Sequence, residues 1–95
     1  MATIPNITIP ANTLFDFYAD ATVVAAGINP QDAVNIKLES SGNLKINESL
    51  DGSTIETAYR SIDSRDLVAE ITPSGTDRIW LYATPEPVVI NVEAV

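Results

Sequence analysis

The stretch Val34-Asn35-Ile36-Lys37-Leu38-Glu39-Ser40-Ser41-Gly42-Asn43-Leu44-Lys45-Ile46-Asn47 decides the fold class. Val34, Ile36 and Leu38 alternate with Asn35, Lys37 and Glu39, and Leu44 and Ile46 alternate with Lys45 and Asn47. In an extended chain every second side chain points the same way, so each half reads as a strand with one aliphatic and one polar face. Ser40-Ser41-Gly42-Asn43 between them is a turn cluster in which Gly42 or Asn43 can take a positive φ. The spacing predicts a hairpin: one strand goes out, the other returns beside it, and both turn aliphatics to one face. Lys37, Lys45 and Glu39 then form a solvated ladder on the outer side.

The same alternation recurs in both directions. Upstream, Ile4, Ile7 and Ile9 stand among Thr3, Asn6 and Thr8, with Pro5 and Pro10 interrupting. Proline cannot donate to a ladder, so residues 1–10 read as an edge strand or an extended N-terminal arm, and residues 11–95 as one β domain. Pro10 to Thr13 is a turn. Leu14 to Tyr18 reads as a strand with Phe15 and Phe17 on its inner face. Asp20 to Ile28 fits either a helical turn or a short strand; its brevity and the β-branched Thr22-Val23-Val24 favour strand or loop. Pro30 to Ala33 can seed a single helical turn.

Downstream, Leu50-Asp51-Gly52-Ser53 is a reversal, and Thr54 to Ile62 reads as a strand with Ile55, Thr57, Tyr59 and Ser61 on one side. Leu67 to Ile71 is a shorter strand and Thr72 to Asp77 a loop. Arg78 to Ala83 is apolar on both faces, which belongs in the middle of a sheet. Thr84-Pro85-Glu86-Pro87 is a stiff turn, and Val88 to Val95 closes the chain with Val88, Ile90 and Val92 on one face. About seven or eight short strands spaced roughly every 8–12 residues predict a small antiparallel β-sandwich or barrel.

The 95 residues allow one domain, and a hydrophobic fraction of 45% is that of a folded chain. Thirteen acidic and five basic residues leave a net charge of −8, which repels phosphate backbones and anionic lipid surfaces, so neither nucleic acid nor membrane is an expected partner. No apolar run approaches the roughly 18–20 residues that span a bilayer. Met1 to Pro5 has no basic start or continuous apolar core, so the expectation is cytoplasmic synthesis rather than export.

Histidine and cysteine are absent from the sequence, which removes the commonest general base, the thiol nucleophile and the usual transition-metal ligands. A Ser–Lys pair would need Lys37 or Lys45 off the polar face. Asp63 with Asp66, or Asp16 with Asp20, are the nearest carboxylate pairs, and turn or surface roles explain both more simply. Asp63-Ser64-Arg65-Asp66 and Asp51-Gly52-Ser53 offer oxygens to calcium without the spacing of a calcium loop. The expectation is a non-enzymatic chain with no cofactor and no metal. Phe15, Phe17 and Trp80 are assigned to the core, while Tyr18, Tyr59, Trp80 or Tyr82 would have to form any carbohydrate platform.

Two segments add a family resemblance. Ile9-Pro10-Ala11-Asn12-Thr13-Leu14-Phe15-Asp16-Phe17-Tyr18-Ala19 resembles the opening strand of short virion proteins of tailed bacteriophages. Ile79-Trp80-Leu81-Tyr82-Ala83, followed by a turn and Val89-Ile90-Asn91-Val92-Glu93, is similar to how those proteins close. Together, with the turn, the segments cover about a quarter of the chain. The family consists of small β-domains that decorate or cement capsids or form head fibres. The resemblance implies a structural protein of the virion, bound to the major capsid protein or another virion protein, homo-oligomeric and commonly trimeric. It carries over no catalytic residue. An arm could complete a neighbour's sheet by strand addition, and the interface candidates are Ile4, Pro5, Ile7, Ile9, Tyr59 and Tyr82. The alternatives are a carbohydrate- or receptor-binding β-module and, last, a small enzyme or inhibitor.

Overall fold

The computed structural model describes residues 3–30, 32–53, 55–57, 59–63, 69–73 and 78–94, with only the backbone of Thr3 and Pro5. Among the described residues eight strands run in chain order: β1 (Thr3–Ile9), β2 (Phe15–Asp16), β3 (Val34–Leu38), β4 (Asn43–Ser49), β5 (Arg60–Asp63), β6 (Ala69–Ile71), β7 (Arg78–Ala83) and β8 (Val88–Ala94). A single 3₁₀ turn, Phe17–Ala19, and the short helix α1, Ala21–Ala25, stand between β2 and β3. The strands form two four-stranded sheets, the first ordered β1-β8-β3-β6 and the second β2-β7-β4-β5. This is the small antiparallel sandwich that the strand count predicts.

The pairing is nested. β1 lies against β8, β2 against β7, β3 against β6 and β4 against β5, all antiparallel. The chain is therefore one long hairpin bent between β4 and β5 and rolled up. Rolling adds the contacts of β8 with β3 and of β7 with β4. Eight strands in this order make a jelly roll. The core fills from alternate positions of both sheets: Ile4, Ile7 and Ile9; Val34, Ile36 and Leu38; Leu44 and Ile46; Ile79, Leu81 and Ala83; Val88, Ile90 and Val92.

The predicted hairpin of residues 34–47 is not one. Both strands exist and both bury the predicted residues, but β3 and β4 belong to opposite sheets. Both edges of β3 are already occupied, by β8 and β6. Residues 39–40 stay tied to β8: Glu39 N donates to the Val89 carbonyl at 2.8 Å, and Val89 N donates to Ser40 Oγ at 2.9 Å. The chain then crosses between the sheets at Gly42, whose φ is 144° and whose missing Cβ would stand 2.6 Å from Val88 Cγ1.

Other local expectations change too. β2 stops after two residues, and the 3₁₀ turn buries Phe17 and Tyr18 together. The rings meet edge to face at 5.3 Å, and Tyr18 Oη donates to the Asp32 carbonyl at 2.7 Å. Tyr18 is thus a core residue and no carbohydrate platform. Residues 21–25 are helix rather than strand or loop because Asp20 caps them: its Oδ2 accepts from Thr22 N at 3.0 Å and Val23 N at 3.4 Å. Of the expected helical turn at residues 30–33, Gln31 lies outside the described residues; next to it, Asn29 N donates to Asp32 Oδ2 at 2.8 Å. The strand expected over residues 54–62 begins only at Arg60, and its inward residue is Ile62. Leu67 and Val68 lie outside the described residues.

Residues 3–9 are the edge strand β1 of the chain's own first sheet. Its ladder slips between Ile4 and Ile7, where Asn6 takes a φ of 60° and donates its N–H to Asn91 Oδ1 at 2.8 Å. Asn91 Nδ2 in turn donates to Glu39 Oε1, so β1, β8 and the segment after β3 are stitched by one side chain.

The Gly42 crossing carries a test. Gly42→Ala meets both a positive φ and the Val88 side chain, whereas Gly27→Ala meets a φ of 82° and open space. Urea unfolding should show Gly42→Ala destabilised by about 1–3 kcal/mol and more than Gly27→Ala. Equal losses would remove the close approach to Val88 from the account.

Candidate functional site

The outer side of the second sheet gathers the aromatic and charged side chains that the core does not take. On β7, Ile79, Leu81 and Ala83 are buried, which sends Arg78, Trp80 and Tyr82 outward. Trp80 is therefore half-buried on an outer face, not part of the core between the sheets as its apolar strand led us to expect. The register of β4 places Lys45 opposite Tyr82, Asn47 opposite Trp80 and Ser49 opposite Arg78. β2 adds Asp16 opposite Trp80, and β5 adds Ser61 opposite Lys45.

Lys45 is the centre of one cluster. Its ammonium stands 4.6 Å from the Tyr59 ring centroid, 5.8 Å from that of Tyr82 and 3.9 Å from Glu56 Oε2. The side chain is 20% exposed, so it is not a rung of an open charge ladder. Lys37, with its Nζ 3.9 Å from Glu39 Oε1, does sit outward as predicted. A cation held over two aromatic faces interacts with their quadrupoles, and partial desolvation strengthens that interaction.

Trp80 anchors the neighbouring region. Its Nε1 donates to the Ser49 carbonyl at 3.2 Å. The segment after β4 returns over the indole at Gly52, where an added Cβ would stand 2.8 Å from Trp80 Cγ and 3.1 Å from Leu14 Cδ2. Gly52 N donates to Ser49 Oγ at 2.8 Å, which closes the turn. With one side against Gly52 and its N–H engaged, Trp80 supports the surface from beneath rather than offering a stacking platform.

The acidic candidates have structural occupations. Asp16 Oδ1 accepts from Arg78 Nη2 at 3.2 Å and Nε at 3.3 Å, while Asp20 caps α1. Asp51 is held below its ordinary value of 3.8 by hydrogen bonds from Ser53, first its backbone N–H and then its side chain. A depressed folded-state value favours folding above the ordinary range, and that support fades as the pH falls below about 3.8. Asp66 lies outside the described residues. Among the described residues no three carboxylates converge as metal ligands would, and no helix is long and apolar enough to cross a membrane.

The six interface candidates divide. Ile4, Ile7 and Ile9 point into the core from β1, and the Pro5 side chain lies outside the described residues. Tyr59 and Tyr82 come together at Lys45, on the other sheet. Sequence reading missed Lys45 as their shared partner, because that contact depends on the pairing of β4 with β7. It also passed over Leu14 and Leu50, two exposed aliphatics flanking turns, of which Leu14 reaches the Gly52 turn over Trp80. Comparison with known protein families, curated proteins and solved structures finds no match.

A double-mutant cycle of Lys45→Met and Tyr59→Leu, read by urea unfolding, should return a coupling of about 0.5–1 kcal/mol. Additive losses would mean that the ammonium and the ring do not interact.

Proposed function

We propose that this chain is a non-enzymatic structural protein of a bacteriophage virion, which decorates or cements the capsid surface through protein–protein contacts. The observation that carries the reading is the eight-stranded jelly roll, an architecture found among viral capsid domains. A fold alone assigns no function, so the fold counts here together with the likeness of residues 9–19 and 79–93 to short virion proteins. The chemistry-bearing side chains add support. Asp16 neutralises Arg78, Asp20 caps a helix, and Lys45 lies over two tyrosine rings. The partner in this reading is the major capsid protein or another virion protein.

A second reading, a carbohydrate-binding module, draws on one observation. Tyr59 is exposed beside the Lys45 ammonium and the Glu56 carboxylate, and a sugar ring needs an aromatic face with charged hydrogen-bonding groups at its rim. Jelly rolls also include lectin domains.

Purified protein mixed with undecorated capsids separates the two. Stoichiometric co-sedimentation that free glycans do not displace is the expected result. Absence of capsid binding, with glycan-dependent shifts of the Tyr59 ring resonances, would replace the first reading with the second.

A further inference from the structure

Asp51-Gly52 is the one Asp-Gly pair in the sequence, and no Asn-Gly pair occurs. Aspartate followed by glycine is the aspartyl dipeptide most prone to spontaneous rearrangement, because glycine has no Cβ to shield its nitrogen. In that reaction the Gly52 nitrogen attacks Asp51 Cγ. An N–C bond forms and a Cγ–O bond breaks. The carboxylate oxygen leaves as water, with the amide proton and one proton from solvent. Water then reopens the cyclic imide. Opening at the former main-chain carbonyl of Asp51 routes the backbone through Cβ and Cγ, which leaves an isoaspartate with a free α-carboxylate.

The fold holds both reacting groups back. The nucleophile, Gly52 N, donates to Ser49 Oγ at 2.8 Å. The electrophile is engaged on the other side, where Asp51 Oδ1 accepts from Ser53 N at 2.9 Å. The Ser53 bonds also keep the Asp51 carboxyl below its ordinary value, hence ionised, and a carboxylate resists attack until it gains a proton. The flanking backbone is pinned as well. The Gly52 carbonyl accepts from Ile55 N at 3.2 Å, and the Ser49 carbonyl accepts from Trp80 Nε1 at 3.2 Å. Asp51 is exposed to water while Gly52 is buried. Reaction therefore waits for a local opening of the turn that frees the Gly52 N–H from Ser49.

Rearrangement would not leave the turn as it is. The isoaspartyl backbone is one atom longer between Asp51 Cα and Gly52 N. It lengthens where a Cβ on Gly52 would already stand 2.8 Å from Trp80 Cγ and 3.1 Å from Leu14 Cδ2. A turn closed at Ser49 and packed this closely has no room for the added atom. We propose that Asp51–Gly52 is a spontaneous modification site of this chain, that the Ser49 hydroxyl guards it in the folded protein, and that isomerisation there lifts the turn off Trp80. The chemistry is the same whatever partner the chain binds.

The test incubates the full chain at neutral pH, folded and in urea, and locates isoaspartate by peptide mapping, with circular dichroism confirming that each variant folds. The unfolded wild type should isomerise at Asp51 more than about tenfold faster than the folded protein, since several bonds must open first. In the folded state Ser49→Ala should accelerate the reaction about fivefold, the effect of one lost hydrogen bond, while Ser49→Thr, which keeps the hydroxyl, matches the wild type. Gly42→Ala, which strains the chain at the other end of β4, should keep the folded wild-type rate. The purified isoaspartyl form should show red-shifted emission from Trp80, the sole tryptophan. Equal rates in the folded and unfolded wild type, or in folded Ser49→Ala and wild type, overturn the guard. Acceleration of Gly42→Ala to match Ser49→Ala places the barrier in global unfolding and overturns it too. Unchanged Trp80 emission in the isoaspartyl form overturns the lifting of the turn. Absence of isoaspartate at Asp51 even in urea overturns the site.

Discussion

The last strand of the chain holds the first sheet together. β8 lies between β1 and β3, and its inward residues Val88, Ile90 and Val92 are buried along their whole length. Until residues 88–94 arrive, the strand that opens the chain has no ladder partner in its sheet and β3 has β6 alone. The bond from Asn6 to Asn91 joins positions 85 residues apart. Loop closure must precede such contacts, so the roll forms late and as a unit, with slow folding as the natural consequence of nested pairing. Gly42 serves the same strand, since the approach of the crossing backbone to Val88 lets the chain leave one sheet for the other.

Alternation in the sequence specifies which face a strand buries and is silent about which strand it lies beside. Val34 to Leu38 and Leu44 to Ile46 bury the residues that the period of two selects, yet the segments face each other across the core instead of pairing edge to edge. In a sandwich both arrangements demand the same pattern, because each sheet turns an aliphatic side inward. The central place of β7 was legible for a different reason than the one at work. After Arg78 its sequence is apolar, but only alternate residues enter the core, and the outward Trp80 and Tyr82 meet residues from β4 and the turn after it. α1 was misread because β-branched content outweighed a cap: Asp20 secures two N–H groups and fixes a helix of five residues that propensity disfavours.

The candidate site was half legible for similar reasons. Tyr59 and Tyr82 were both interface candidates, and they do share one neighbourhood. Lys45 could not be joined to them, since the sequence carries no mark of the β4–β7 register. The isoleucines of β1 drew attention as an apolar arm, and the core takes them instead. One sheet thus covers its apolar residues almost completely, while the other retains an aromatic and aliphatic outer side over Trp80.

Nested pairing also brings the start of β1 and the end of β8 to one corner. Thr3 is the ladder partner of Glu93, which sets their Cα atoms about 5 Å apart. A few glycines would join the start of β1 to the end of β8, and new ends could then be cut in the turn that separates β4 from β5. Such a permutant would keep every ladder while beginning and ending at what is now the bend. A segment fused at the start of β1 or at the end of β8 would emerge beside that ladder, on the first sheet and away from the Lys45 cluster.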